Sequence, residues 1–182
     1  MARAGQVIRN PVTGETVTFL VTASDSGGSL LELEMEADPR AAGATTHVHP
    51  RITERYEMLE GRLRVTLEGV ETVVAAGQRL VIPPRTAHSF RNADDAPARV
   101  RVRFEPAGRF EEFMETIYAL AAEGKTNARS RPRLLQAALI GQRHLDDIAL
   151  ARPPVLVQRL LYTLLAPIAR ARGYRARYPS ET

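Results

Sequence analysis

The chain of 182 residues has no cysteine and no tryptophan, and aromatic residues make up only 5% of it. Without cysteine there is no disulfide, no thiolate metal site and no thiol nucleophile. Such a composition fits a reducing compartment, and a cytoplasmic setting is expected. No run of about eighteen apolar residues occurs, so no transmembrane helix is expected. The opening stretch "MARAGQVIRNPVTGETVTF" has no apolar core before residue 17, so no signal peptide is expected either. Lysine is nearly absent: of 25 basic residues, 24 are arginine and only Lys125 is lysine. The net charge of +4 invites a nucleic-acid reading, but no nucleic-acid motif accompanies it. An arginine- and alanine-rich composition accounts for it, and neither a nucleic-acid nor a membrane partner is expected. Residues 1–106 carry 13 basic and 14 acidic side chains, and residues 107–182 carry 12 and 7, so the positive excess is C-terminal.

What is present divides at Pro106. Before it, apolar residues alternate with charged ones. Leu31, Leu33 and Met35 alternate with Glu32, Glu34 and Glu36. Leu63, Val65 and Leu67 alternate with Arg62, Arg64 and Thr66, and Val100, Val102 and Phe104 with Arg99, Arg101 and Arg103. A period of two marks half-buried strands. Glu68–Gly69 reads as a hairpin turn into "VETVVAAG", and "RLVI" ends at two prolines. "ETVTFLVTA" is β-branched and aromatic. Six or more short strands predict an all-β barrel or sandwich over residues 1–106.

After Pro106 the period becomes helical. Phe110, Phe113, Met114, Ile117, Leu120 and Ala121 share one face, and Gly124 stands where a C-terminal cap would. "KTNARSR" reads as a polar linker. A second helix is expected from about Ser130 and Pro132 through "RLLQAALIGQRHLDDIAL", with a break near Gly141. A third is expected from about Val155 to Arg172, with Pro167 as a kink. Its broad apolar face (Leu156, Val157, Leu160, Leu161, Leu164, Leu165, Ile168) fits a membrane or partner surface, or packing on the barrel or a dimer mate; packing is the expected use. Residues 107–182 thus read as a helical extension packed on the barrel or on a second subunit.

Two of the four histidines, His47 and His49, lie at alternate positions and so project to one face of a strand. Glu54, Tyr56 and Met58 share a face after the Pro50 turn, and His88 shares one with Phe90 and Asn92. Two alternate imidazoles with a carboxylate and a third histidine beyond a hairpin suggest a metal site more than isolated structural histidines. His144, beside Asp146 and Asp147, is expected at the surface.

The spacing around these residues resembles the paired motifs of the cupin family. His47, His49, "PRIT", Glu54, "RYEMLE" and Gly61 follow the first motif. Gly77, "QRLVI", Pro83, Pro84, Arg85, "TA", His88, "SFR" and Asn92 follow the second, except that Arg85 stands where the family usually has glycine. The glycine that usually opens the first motif is off register, since only three residues separate Gly43 from His47. The resemblance covers roughly residues 28–105. It implies a jelly-roll (double-stranded β-helix) barrel in which His47, His49, Glu54 and His88 hold one divalent transition metal: Fe, Mn, Ni, Cu or Zn. Tyr56, Met58, Arg85, Phe90 and Asn92 would line the substrate pocket. Tyr56 is the candidate catalytic proton donor and Arg85 a candidate anion contact. The resemblance further implies a small-molecule substrate or ligand and a homodimer. It fits a metal-dependent enzyme, oxygenase-like ahead of cyclase- or isomerase-like, or a non-catalytic binding module.

Overall fold

Cross-strand charge pairing shows how the alternating segments become a sheet. The structure, a computed structural model, describes residues 2–178. In it, β3 (Leu31–Ala37) runs antiparallel to β10 (Ala98–Glu105), with Arg101 opposite Glu34 and Arg103 opposite Glu32. Arg103 bonds Glu32 at 2.6 Å on the outer face, while Leu31, Leu33, Val100, Val102 and Phe104 fill the inner one. Opposite charges facing each other across a pair add modestly to it and fix its register.

The remaining strands are β1 (Val7–Asn10), β2 (Glu15–Val21), β4 (His47–Val48), β5 (Thr53–Glu60), β6 (Arg62–Leu67), β7 (Val70–Ala75), β8 (Arg79–Ile82), β9 (His88–Arg91) and β11 (Ala149–Leu150). Among the described residues they form two antiparallel sheets, ordered β1-β2-β3-β10-β5-β8 and β11-β4-β9-β6-β7. The two sheets share one apolar core containing Val17, Phe19, Leu33, Tyr56, Met58, Leu63 and Val65. This is the jelly-roll expected from the sequence. Glu68 and Gly69, with φ of 48° and 86°, make the tight turn between β6 and β7.

Helix α1 (Phe110–Ala122) forms where the helical period begins, with Glu111 and Glu112 in its first turn. Both acids also make tertiary contacts. Glu111 accepts a 2.8 Å bond from the Ala23 amide, and Glu112 receives both arms of the Arg143 guanidinium.

The second helix is shorter than expected. Helix α2 covers Leu134–His144, and Ser130, with φ of 55°, lies outside it. Gly141 does not break it. A Cβ there would stand 2.2 Å from the Tyr162 ring, so glycine lets α2 meet α3 (Val155–Ala171) closely. The sequence placed Ala149–Leu150 at the end of this helix; instead they form β11, the edge strand beside β4. His144 is not at the surface. It is fully buried against Phe113 and Glu112, and burial lowers its pKa to about 4.

The third helix also departs from expectation. Pro167 lies inside a helix that continues to Ala171, at the expense of one backbone hydrogen bond. Its buried side is Gln158, Tyr162, Ala166 and Ala169, whereas Leu156, Leu160 and Leu164 are 68%, 60% and 73% exposed. The leucine face, expected to pack on the barrel or on a dimer mate, therefore does not pack on the barrel and faces outward from the chain. Among the described residues, no helix is long and apolar enough to cross a membrane.

Candidate metal centre

Pairing between β4 and β9 sets His47 directly opposite His88. The alternation along the chain after His47 turns His49 to the same side, and β5 brings Glu54 alongside. Their ligand atoms all lie within 4.8 Å of one another, and all four residues are buried. The His47 and His88 ring centroids are 4.2 Å apart, those of His47 and His49 5.0 Å.

Each imidazole is oriented through its other nitrogen. Nδ1 of His47 bonds the Thr45 carbonyl at 2.9 Å, that of His88 bonds the Thr86 carbonyl at 2.9 Å, and that of His49 bonds the Asp147 carbonyl at 2.7 Å. A carbonyl can only accept, so every Nδ1 carries its proton and every Nε2 offers a lone pair. Nε2 of His88 lies 2.8 Å from Glu54 Oε2, and that of His49 lies 3.5 Å from the same oxygen. These three atoms are buried without a hydrogen bond of ordinary geometry. Such a cost is offset when the atoms share a metal ion. Three imidazoles and one carboxylate converging on one point fit a divalent transition metal.

The electrostatics prepare the same state. Burial, then the neighbouring His88 and His49, lower the His47 pKa to about 3, so this ring stays neutral. Burial raises the Glu54 pKa, but contacts with His49 and His88 outweigh it and keep the carboxylate ionised. Burial opposes protonation of His88, yet Glu54 outweighs it and raises the His88 pKa, so a proton competes with metal there.

The cluster opens into a cavity of about 510 Å³, bordered by His47, Glu54, Tyr56 and Phe90 from the barrel. Its far wall comes from Phe110, Phe113, Met114, Ile117 and Tyr118 of α1, with Ile140 of α2 and Leu161 of α3 beyond. The "KTNARSR" linker contributes Asn127, Arg129, Ser130 and Arg131. Phe110 packs edge-on against His49 at 4.9 Å.

Of the pocket residues expected from the sequence, Tyr56 and Phe90 border this cavity, whereas Met58, Arg85 and Asn92 do not. Met58 is buried in the barrel core. Asn92 is a clamp: its Nδ2 donates to the carbonyls of Asp38 at 2.9 Å and Ala96 at 2.8 Å. Arg85 adopts φ of 68° in the turn where the family has glycine, with its side chain exposed. Its amide donates to the His49 carbonyl at 2.8 Å. Gly43 has φ of 63°, and a Cβ there would stand 2.1 Å from the Phe90 carbonyl, so it is required despite its displaced register.

Sequence reasoning missed Glu15. This buried carboxyl borders the cavity and accepts bonds from Thr13 Oγ1 at 2.7 Å and Tyr118 Oη at 3.0 Å. Burial raises its pKa, offset in part by those two bonds. The available signal was a charged residue at an inward position of β2, in register with Val17 and Phe19.

Residues 33–104 match the family model for the cupin domain. The barrel is a cupin domain. The chain is 40% identical over 60 residues to the polyketide synthase CurC of Streptomyces cyaneus, across 33% of this chain and 39% of that protein. It is 35% identical over 114 residues to germin-like protein 3-5 of Oryza sativa subsp. japonica, across 57% of this chain and 50% of that one. The chain thus spans half or less of these curated relatives. A Thermotoga maritima structure described as a predicted oxalate decarboxylase superposes with a TM-score of 0.51 at 18% identity, covering 58% of this chain and 98% of that one. That likeness is one of fold.

Proposed function

We propose that this cupin is a metal-dependent enzyme acting on a small, largely apolar organic molecule, with oxygenase-like chemistry ahead of cyclase- or isomerase-like chemistry. The observation that carries this reading is the four-residue ligand cluster facing a cavity walled by phenylalanine, leucine, isoleucine and methionine. His47, His49, Glu54 and His88 would hold the ion: Fe, Mn, Ni, Cu or Zn. When bound, such an ion offers open coordination positions and supplies Lewis-acid or redox chemistry.

The chain's own residues have separable roles. The carbonyls of Thr45, Thr86 and Asp147 orient the imidazoles. Phe104 and Phe110, with ring centroids 4.5 Å apart, shield His49 from water. Burial, then the Glu54 charge, raises the Tyr56 pKa well above its ordinary value. Tyr56 therefore keeps its proton and acts as a hydrogen-bond donor to a bound molecule, not as a base. The Glu15 carboxyl, whose pKa burial raises, is a further ionisable group at the cavity. The similarity to a polyketide synthase supports a polyketide-like substrate. The absence of cysteine supports a cytoplasmic setting.

Oxygen uptake by Fe(II)-loaded protein with catecholic and enolic compounds tests the reading. Turnover that disappears in Glu54→Ala supports it. Tight ligand binding with no turnover under any of the five metals would instead make the protein a binding module.

A further inference from the structure

Residues 155–178 contain five arginines and neither aspartate nor glutamate. Within them α3 presents an apolar arc that, among the described residues, is left exposed, with Leu161 at its margin reaching the cavity. Leu156, Val157, Leu160, Leu161, Leu164 and Ile168 are between 39% and 73% exposed. At about 100° per residue, these six side chains span an arc of about 140°. Arg159 and Arg170 border the arc on one edge and Arg172 on the other, and Arg175 follows exposed in the tail. The opposite side of the helix, Gln158, Tyr162, Ala166 and Ala169, faces α2 and β11. The helix is thus anchored to the protein on one side and apolar on the other.

We propose that α3 lies in the plane of an anionic lipid surface, with its leucine ridge in the acyl boundary and its arginines at the headgroups. This departs from the expectation that no membrane partner exists. Charge selects this occupant. An apolar ridge flanked by cations, with no acidic residue along 24 positions, is complementary to anionic headgroups. A second copy of the same face would bring arginines toward arginines with no carboxylate of α3 to pair them. Of the three border arginines, Arg159 is held by Asp146 at 2.7 Å and Arg170 bonds Gln142 at 2.5 Å. Arg172 and Arg175 lie exposed in the last turn and the tail, where they can reach phosphate. Leu161 belongs both to this face and to the cavity lining, so the surface that meets lipid borders the cavity.

Co-sedimentation of the full chain with vesicles of equal parts phosphatidylglycerol and phosphatidylcholine, against phosphatidylcholine alone, tests this. Binding to the anionic vesicles that falls with added salt is expected. Leu160→Asp with Leu164→Asp abolishes it while leaving the thermal midpoint unchanged, because both side chains are solvent-exposed. Arg172→Ala with Arg175→Ala weakens partitioning roughly thirty-fold, from about 1 kcal/mol per arginine near the surface. Equal binding to both vesicle types, or to neither, overturns the proposal. So does a dimer, seen by light scattering without lipid, that the leucine variant converts to a monomer, since a second copy would then cover the ridge.

Discussion

Nδ1 of His49 donates to the backbone carbonyl of Asp147 at 2.7 Å, across 98 residues of sequence. One candidate metal ligand of the barrel is therefore oriented by the helical extension. The pairing of β11 with β4, Leu150 opposite His47, ties the extension to a second ligand.

Truncation after residue 106 removes this support and the far wall of the cavity. Loss of an orienting partner typically costs ten- to a hundred-fold in metal affinity, and the bared aromatic cavity favours aggregation. The truncated chain is expected to elute as aggregates and to bind metal at least about tenfold more weakly in a competition titration with a chelator. A soluble, monodisperse fragment with full metal affinity would refute this.

The four ligands and Tyr56 should separate cleanly. Glu54→Gln or His88→Ala is expected to lose stoichiometric metal by elemental analysis. Tyr56→Phe should keep the metal and lose on the order of a hundred-fold in turnover, as expected for a lost hydrogen-bond donor at the reacting centre. Metal loading should release protons and weaken below neutral pH, because a proton competes at His88. A pH-independent affinity between pH 5 and pH 8 would contradict that competition.

His144 predicts an acid-sensitive fold. Its folded pKa of about 4 lies below the ordinary value of 6.5, so the unfolded chain binds more protons between those limits. Stability is unaffected above 6.5, falls as pH drops through the window, and reaches its full loss below about 4. The limiting slope is about 1.4 kcal/mol per pH unit. Urea midpoints of wild type and His144→Leu at pH 7 and pH 4.5 check this. The variant should lose less stability on acidification, and the difference isolates His144 from His47, which shifts in the same direction.

Arg85 occupies a left-handed turn at φ of 68°, at a cost of about 1–2 kcal/mol for a residue with a Cβ. Its side chain neither borders the cavity nor is buried. Arg85→Gly should therefore raise stability by roughly 1 kcal/mol. It should leave metal content and the ratio of turnover on acidic and neutral substrates unchanged. A selective loss with acidic substrates would restore a binding role for the arginine.

The sequence by itself determined the barrel and located the four-residue cluster within it. Strand period is local, so Leu31, Leu33 and Met35 against three glutamates already state which face is buried. The fixed spacing from His47 to Gly61 states where the ligands fall along their strands. Only the tertiary structure decided what surrounds them. Met58, Phe90 and Asn92 have the right parity, but position along the strand, which parity does not encode, leaves only Phe90 at the cavity. Glu15 and Tyr118, 103 residues apart, meet only because α1 packs beside the first strands. His144 reads as a surface residue beside two aspartates, yet the α2 face that carries it packs inward onto Phe113. The leucines of α3 read as a surface for the barrel or a dimer mate and face away from the barrel, because amphipathicity specifies that a helix has an apolar side and not what that side meets.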